Sequence, residues 1–377
     1  MRTKRFALQL FALIAIAAVL ASCAPKAAEP AAPAATDLES MAKAEGTLTT
    51  IALPHDWANY GKMIETYKTK YGMQVNELNP DAGSADEIEA IRANKDSKGP
   101  QAPDVIDVGV AYGPTAKDEG LLMNYKVATW DTIPLKDADG AWWAEYYGFL
   151  TFEIIKGTVD PLPTDWEDLL GPAYKGKVAM AGDVLKSNQS VQTVFGAGMA
   201  RAGLDAITSE EDALKAAQAG LEFWAEMYKS GNFIPVIADQ GRIAAGETPV
   251  TMEWNYLALA NRDALAGNPE LEIVVPQHGV IAGPYAGAIS AYAPHPNAAK
   301  LWWEFVMSDE GQLIYLEGYA YPIRYNDMAS RGVIPEELAA KLPPAEDAAR
   351  AVFLTVDQLN VSKTYITENW RKVVYGE

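Results

Sequence analysis

Hydrophobic and polar positions follow three successive patterns along the chain. Phe6 to Leu20 is an almost uninterrupted apolar run, residues 24–36 are mainly Ala, Pro, Lys and Glu without periodicity, and from Gly46 short apolar runs alternate with amphipathic stretches. The first run is shorter than the roughly 20 apolar residues that span a bilayer. We therefore expect a cleaved export signal rather than a transmembrane helix. The second segment suits a solvated tether, and the third predicts a folded body.

The first part of the folded body alternates strand and helix patterns. The predicted elements are the strand Leu48 to Leu53, the helix Trp57 to Tyr71, the strand Met73 to Leu78, the helix Ala85 to Asn94 and the buried strand Val105 to Val108. This βαβ order predicts an α/β fold with a mostly parallel sheet flanked by helices. Ligands of such sheets bind at the carboxyl ends of strands, so the loops after Leu53 and Val108 are candidate site loops.

The second part repeats the α/β pattern and then returns to strands. It contains an apolar, β-rich segment at Gly148 to Lys156, predicted helices at Thr164 to Leu170 and Ser209 to Ser230, and predicted strands at Pro249 to Glu253, Leu271 to Val275 and Gly287 to Tyr292. A body of this length exceeds one typical core, so we expect two lobes joined by crossing strands. The hinge candidates are residues 146–152 and 277–284.

These patterns predict four divisions of the chain. They are a signal peptide at residues 1–22, a lipid-anchored flexible tether at 23–44, a first lobe at 45–147 together with about 282–377, and a second lobe at about 148–281. This division leaves open that the C-terminal helices cross from the first lobe to the second.

The end of the apolar run carries a modification signal. Arg2, Lys4 and Arg5 form a basic start, and Leu20-Ala21-Ser22-Cys23 resembles the lipobox at which bacterial lipoproteins are acylated on cysteine. Cys23 is the only cysteine, so it cannot form a disulfide within the chain. We therefore expect Cys23 to carry a lipid, with a spare thiol as the alternative. The expected location is the cell envelope, on either the periplasmic or the outer cell surface.

The charge balance excludes nucleic acid as a partner. The chain has 31 Lys and Arg against 50 Asp and Glu, and removal of the signal segment with its three basic residues leaves 28 against 50, a net charge of −22. Such acidity repels a polyanion and serves mainly to keep an exported protein soluble. The ten tryptophans and eighteen tyrosines exceed the needs of a core, so we expect some of them to line a cleft.

Four stretches resemble a known family along the whole body. They are APDVIDVG at Ala102 to Gly109 with EGLLMNYK at Glu119 to Lys126, LPTDWEDLLGPAYKGKVAM at Leu162 to Met180, GRIAAGETPVTMEW at Gly241 to Trp254, and APHPNAAKLWWEFVMSDEGQ at Ala293 to Gln312 followed by GYAYPIRYN at Gly318 to Asn326. These stretches are similar to extracellular solute-binding proteins of bacterial ABC importers, in the branch with ferric-ion, thiamine, polyamine and phosphorylated-sugar binders.

The resemblance implies a particular architecture and role. It implies the type II periplasmic-binding-protein fold, with two lobes, a cleft and a hinge between them. The protein is then expected to act as a monomer that closes on a small solute and delivers it to a membrane permease.

Catalytic motifs are absent from the sequence. It has three histidines, His55, His278 and His295, and no HExxH, CxxC or GxSxG pattern. We therefore expect no enzymatic activity, no cofactor and no resident metal. An exported hydrolase and a purely structural surface lipoprotein are the alternative classes, and an activity screen combined with a ligand-induced thermal shift would separate them.

Polar and aromatic residues at strand ends are the candidate ligand-binding groups. They are Asp56, Trp57, Tyr112, Asp183, Ser187, Asn188, Glu253, Trp254, Tyr256, Tyr285 and Arg324. A carboxylate beside rings, as at Glu253 and Trp254, suits a cationic amine. Helix capping by Asp56 and a structural ion pair for Glu253 or Arg324 are the alternatives.

The sequence is compatible with several chemical classes of ligand. The helix start at Ser187 and the guanidinium of Arg324 suit an anionic group, whereas Glu253 suits an amine. A polyamine-like or thiamine-like cation is the leading expectation, and a zwitterion satisfies both features. A ferric ion or a phosphorylated organic anion is the alternative. The family resemblance places adjacent tyrosines of ferric binders near Tyr256, where this chain has Asn255-Tyr256 instead.

Overall fold

The computed structural model describes residues 35–377, apart from the side chains of residues 35, 36 and 345. The predicted signal peptide and Cys23 lie outside the described residues. The second of the chain's two units, Glu39–Glu377, is compact. The expected tether, residues 23–44, is helical from Ala35 onward, because the sequence there is rich in good helix formers. Lys43 and Glu39 add an ion pair one helical turn apart.

Eleven strands lie in the second unit. They are β1 (Thr47–Ile51), β2 (Gln74–Leu78), β3 (Val105–Gly109), β4 (Leu122–Met123), β5 (Trp143–Ile155), β6 (Val178–Met180), β7 (Phe233–Ile237), β8 (Val250–Trp254), β9 (Leu271–Val274), β10 (Ala282–Ser290) and β11 (Tyr321–Pro322).

Helices connect and flank these strands. The α-helices are Ala35–Glu45, Tyr60–Tyr71, Ser84–Asn94, Gly113–Asp118, Asn188–Ala202, Glu210–Ser230, Gln240–Ala244, Asn255–Leu265, Pro296–Val306, Asp309–Glu317, Tyr325–Ser330, Glu336–Ala339, Ala345–Ala349 and Val356–Trp370. Short 3₁₀ helices cover Val110–Tyr112, Trp130–Thr132, Trp166–Leu170 and Pro172–Tyr174, and a π-helical turn covers Arg371–Tyr375.

The predicted elements are confirmed with shifted ends. The helix expected from Trp57 begins at Tyr60, because Ala58 and Asn59 have φ angles of 45° and 65°, which are incompatible with a right-handed helix. The helix expected at residues 164–170 is a 3₁₀ helix beginning at Trp166. Ser209 caps the long helix that follows, as the sequence indicates.

The mixed α/β architecture is confirmed, while parallel pairing is limited to part of it. β1 pairs with β2, and β6 pairs with β7 and β8, in parallel. The strands β5 and β10 pair antiparallel with each other and with their other neighbours. Alternating patterns along the chain cannot show this, because a strand that enters the sheet from a distant segment can run in either direction.

β5 connects two parts of the large sheet. Its first half, up to Phe149, pairs with β10, and its second half, from Leu150, pairs with β8 and β9. The change of partner lies inside the segment 146–152 that we predict as a hinge. The lobe boundaries given above remain a prediction.

Two glycines on β10 allow tryptophans to pack directly against its backbone. A Cβ atom added at Gly283 would lie 2.1 Å from the Trp254 ring, and one at Gly287 would lie 2.1 Å from the Trp303 ring. Both tryptophans are fully buried. Trp303 thereby packs the Pro296–Val306 helix against β10. Among residues 35–377, no helix is long and apolar enough to cross a membrane.

Candidate functional site

A cavity of about 750 Å³ lies at the carboxyl ends of six strands. Its walls are formed by the loops that follow β1, β2, β6 and β7 and by residues near the ends of β3 and β8. The loop after β1 is one of the two that the βαβ pattern indicates, whereas β3 contributes Asp107 from within the strand and not the loop after Val108. This position is the expected one for a ligand site in an α/β sheet, because side chains from several strands converge there.

Seven of the eleven candidate residues line this cavity. They are Asp56, Trp57, Asp183, Ser187, Asn188, Glu253 and Tyr285. The other four, Tyr112, Trp254, Tyr256 and Arg324, are not among its lining residues.

The cavity wall is strongly acidic. Its carboxyl side chains are Asp56, Asp81, Asp86, Glu87, Asp107, Asp183, Asp239 and Glu253. Lys186 is the only lysine or arginine in the wall, and its amine lies 3.2 Å from a carboxylate oxygen of Asp86. The excess of carboxylates creates a negative potential in a partly enclosed space, which attracts cations.

Glu253 is buried at the end of β8 without a positive partner. Its Oε1 accepts hydrogen bonds from the side-chain amide of Gln189 and, at 2.8 Å, from the backbone N–H of Trp254. No lysine or arginine within residues 35–377 forms an ion pair with it. Burial, with a smaller contribution from the carboxylate of Asp56, raises the pKa of Glu253 to about 8, against the lowering effect of the hydrogen bonds from Trp254 and Gln189. A cation bound beside Glu253 would therefore stabilise the ionised form of its carboxyl group.

Asp107, in the cavity wall, accepts hydrogen bonds from two buried tyrosines. Its Oδ2 accepts hydrogen bonds from the hydroxyls of Tyr60, at 3.0 Å, and Tyr146, at 2.8 Å. Glu145 hydrogen-bonds to the same carboxylate. Burial raises the pKa of Asp107 to about 6, while the hydrogen bonds from Glu145, Tyr146 and Tyr60 lower it.

Glu87 is a second buried acid beside Asp107. One of its carboxylate oxygens accepts the backbone N–H of Asp107 at 2.9 Å. Burial, followed by the charge of Asp107, raises the pKa of Glu87 well above its ordinary value. Glu87 lies on the first turn of the helix Ser84–Asn94, where an acidic residue ordinarily indicates a favourable helix dipole interaction. An acidic residue in a first helical turn therefore gives no separate sequence signal that it lines a cavity.

Two aromatic rings contribute to the wall. Trp57 and Tyr285 have ring centroids 5.5 Å apart in an edge-to-face arrangement. Trp57 is half-buried and donates its indole N–H to the hydroxyl of Tyr146 at 2.6 Å. One exposed face of such a ring is suited to cation–π contact.

The start of the helix Asn188–Ala202 forms the opposite wall. Ser187 caps this helix by accepting the backbone N–H of Ser190, and Asn188 is buried. Asp183 is exposed and lies in the preceding loop, where it accepts the backbone N–H of Leu185 at 2.9 Å. Ser187 therefore both caps the helix and lines the cavity.

Trp254 and Tyr256 are packed away from the cavity. Trp254 follows Glu253 directly on β8, and successive side chains of a strand point to opposite faces. Tyr256 is fully buried and contacts Trp57 and Tyr146 through its ring edge at centroid distances of 5.8 and 5.9 Å. Neither residue lines this cavity, and their assignment as ligand-binding residues stays a prediction.

Arg324 and Tyr112 serve other contacts. Arg324 is buried and donates to the carbonyl oxygen of Met307 at 2.7 Å, and it also forms an ion pair with Asp327. This is the structural alternative considered above. Tyr112 lies against the amine of Lys363, which is 3.6 Å from its ring centroid. Neither residue lines this cavity, and their assignment as ligand-binding residues stays a prediction.

The acidic side chains of the described residues do not form a metal-binding cluster. Among residues 35–377, no group of three or more His, Cys, Asp or Glu side chains is arranged to hold a metal ion. The many cavity carboxylates are therefore dispersed along the wall rather than gathered around one point.

Comparison with known proteins gives a family match and a fold match. The family model described as bacterial extracellular solute-binding protein matches residues 101–360. No curated protein sequence matches the chain.

Three solved structures illustrate the fold match. AfuA from Actinobacillus pleuropneumoniae, a periplasmic binding protein with fructose-6-phosphate bound, is 18% identical, covers 87% of this chain and 99% of its own, and has a TM-score of 0.67. Iron-bound HitA from Pseudomonas aeruginosa is 18% identical with the same coverage and a TM-score of 0.64. AgtB from A. tumefaciens, in complex with agropinic acid, is 14% identical, covers 88% and 99%, and has a TM-score of 0.66.

Proposed function

Since the chain belongs to the bacterial extracellular solute-binding protein family of ABC importers, we propose that its own solute is a small organic cation with amine groups. Membership of this family implies export and small-molecule binding, and the two-lobed type II fold of the similar structures agrees with the predicted fold class. The identity of the solute depends on the cavity of this chain alone, because the three structures bind unrelated ligands.

The observation that supports a cation is the buried carboxyl of Glu253. A buried ionised carboxylate costs several kcal/mol unless a positive group compensates it. The described part of the chain supplies no such partner for Glu253, and seven further carboxyl groups lie in the same wall. A ligand amine would remove this cost, and Trp57 would add a cation–π contact.

The other ligands considered from the sequence fit this wall less well. A phosphorylated organic anion would face eight carboxyl groups with one lysine to balance them. A ferric ion prefers several anionic oxygens around one point, and the wall carboxylates are dispersed. The helix start at Ser187 and the amine of Lys186 could bind an anionic group of the ligand. They therefore favour a zwitterionic ligand that carries such a group together with its amine.

Delivery and anchoring complete the proposal. The protein acts as a monomer, closes its lobes around the solute and presents the closed form to a membrane permease, and it performs no chemical conversion. Cys23 carries the lipid that holds the protein at the membrane surface. The resemblance of residues 20–23 to a lipobox and the family membership support this part.

A ligand survey tests the proposed solute class. Native mass spectrometry of protein purified without added ligand should detect a bound amine. Calorimetry should then show binding of linear diamines or triamines and weak or no binding of fructose 6-phosphate and ferric citrate. Tight binding of either of the last two, with no binding of any amine, would refute a cation site. Turnover of a bound compound would refute the binding-protein assignment.

A further inference from the structure

Tyr146 contacts three residues of the cavity wall without belonging to that wall. It is fully buried on β5. Its hydroxyl contacts Trp57 and Asp107 through hydrogen bonds, and its ring stacks on that of Tyr285 with a centroid distance of 5.4 Å and an interplanar angle of 2°. The three wall residues come from a loop and two different strands, so Tyr146 is a shared support for separate parts of the cavity.

The direction of the hydrogen bonds through Tyr146 follows from the chemistry of its partners. The indole of Trp57 can only donate, so the Tyr146 oxygen accepts its N–H at 2.6 Å. The phenolic O–H is then free to donate to Oδ2 of Asp107 at 2.8 Å. Each bond polarises the next in the same sense, from Trp57 to Tyr146 to Asp107.

The same network occupies one defined oxygen of Asp107. Oδ2 is occupied by Tyr146 and by Tyr60. The two tyrosines therefore occupy one oxygen of this carboxylate, and Glu145 is the further polar side chain that hydrogen-bonds to Asp107.

We propose that Tyr146 is a positioning residue of the solute site, which couples the ring of Trp57 to the carboxylate of Asp107 through its single hydroxyl group. This inference rests on the proposed function, because Trp57 and Asp107 are taken to contact the cation. Any change in the charge of Asp107 is then transmitted to the indole N–H of Trp57. A change in the orientation of Trp57 is likewise transmitted to the carboxylate.

The groups around Asp107 set the pH at which this coupling changes. Tyr60 approaches from the helix Tyr60–Tyr71, Glu87 from the helix Ser84–Asn94, and Glu145 with Tyr146 from β5. On the remaining sides, Tyr285 lies on β10, and Tyr315, on the helix Asp309–Glu317, donates to Glu145. No lysine or arginine in residues 35–377 forms an ion pair with Asp107, so its pKa of about 6 reflects burial among neutral and acidic groups.

Nuclear magnetic resonance of the tryptophan indole N–H groups tests the coupling without any ligand. Trp57→Phe identifies the Trp57 signal. In the wild type this signal should shift with pH with a midpoint near 6, as Asp107 is protonated. In Tyr146→Phe it should move to the position of an indole without a hydrogen bond and lose the pH dependence. The other indole signals report whether the variant is folded.

Tyr147→Phe is the matched control. Tyr147 is the next residue of β5, and its ring stacks on Tyr321 at 5.1 Å, away from Asp107. This variant should retain the wild-type titration of Trp57. If Tyr146→Phe does not fold, Asp107→Asn provides the same test, because it should abolish the titration while the hydroxyl of Tyr146 is present.

The outcomes separate the coupling from the proposed function. A Trp57 signal that does not titrate in the wild type, or that titrates equally in Tyr146→Phe, overturns the role of Tyr146. A titrating signal that disappears in Tyr146→Phe supports it. If that signal then fails to respond to 1,4-diaminobutane or to any other amine, the proposed cation is wrong and the coupling stands.

Discussion

Asn188 lies so close to Gly109 that a methyl group at position 109 would be 2.3 Å from its side-chain Cγ. Gly109 ends β3, and Asn188 begins the helix on the opposite wall of the cavity. The φ angle of Gly109 is −52°, which alanine also adopts, so only this close approach requires glycine. The two sides of the cavity therefore meet at a contact that one carbon atom can obstruct.

Gly109→Ala should prevent this approach and weaken solute binding. In solution scattering, the wild type should show a smaller radius of gyration with the amine than without it, because hinge closure brings the lobes together. Gly109→Ala should keep the larger radius under the same conditions. The double variant Gly109→Ala with Asn188→Gly should regain closure. A fully compact Gly109→Ala protein with unchanged affinity would contradict this account.

Glu253→Gln should separate the structural and functional roles of Glu253. A glutamine keeps the shape and removes the charge, so the empty protein should be as stable as the wild type or more stable. Amine affinity should fall by roughly 2 to 5 kcal/mol, as for other severed buried charge pairs. Thermal unfolding and calorimetry on both proteins check this. A large loss of melting temperature in the empty variant would indicate a structural ion pair instead.

The pH dependence of stability follows from the raised pKa of Glu253. The folded protein retains this proton up to pH 8, whereas the unfolded chain releases it near pH 4.3. Because the folded state binds more protons over that interval, the stability of the empty protein should fall as the pH rises through it. Denaturant unfolding should show that Glu253→Gln reduces this slope.

Amine binding should depend on pH in the opposite sense. The ligand pairs with the ionised carboxyl, so its affinity should rise with pH until about 8 and then level off. Calorimetry near pH 7 in buffers of different ionisation enthalpy should detect proton release on binding. Glu253→Gln should release fewer protons. Binding without any proton release would show that the cation does not contact Glu253.

Arg324→Met should destabilise the protein without changing the site. The variant leaves the carbonyl of Met307 with the Thr129 hydroxyl as its remaining donor, and it removes the buried positive charge that pairs with Asp309 and Asp327. We expect a loss of about 3 kcal/mol in the free energy of unfolding, with unchanged amine affinity. Arg331→Met is the control, because Arg331 pairs with the same acids at the surface and should cost less than about 1 kcal/mol.

Cys23→Ala should release the protein from the membrane. Fractionation of cells should find the variant in the soluble fraction, since a lipid on Cys23 is the expected anchor. Binding of the amine by the released protein should be unchanged. Membrane attachment that persists in the variant would refute lipidation at this position.

The sequence pattern indicates that Glu253 is unusual, but it does not show which face of β8 each side chain occupies or which distant residues lie beside it. A charged residue at the end of an apolar strand is conspicuous, and the cavity contains it. Trp254 was associated with it through adjacency, although strand geometry places the two side chains on opposite faces. Pairing of distant segments was equally hidden, so Tyr146 could be marked as a hinge residue while its hydrogen bond to Asp107 could not be predicted.

The acidic residues of the helix Ser84–Asn94 show a second limit of prediction from sequence. Asp86 and Glu87 in a first turn are sufficiently explained by the helix dipole, and no periodic pattern indicates that both also line a cavity. By contrast, the order of strands and helices was predictable over the body, because each element carries its own hydrophobic period. Local patterns thus determine the elements, and the site emerges where non-local pairing brings them together.

The pairing of β3 with β10 has a consequence for how the chain is made and exported. Val105 and Ile289 are register partners 184 positions apart, so β3 gains this neighbour only after most of the chain has been synthesised. Contacts with such large sequence separation form slowly. An emerging chain consequently remains without its complete central sheet during translation, and this delay favours passage through a translocation channel before the fold can close.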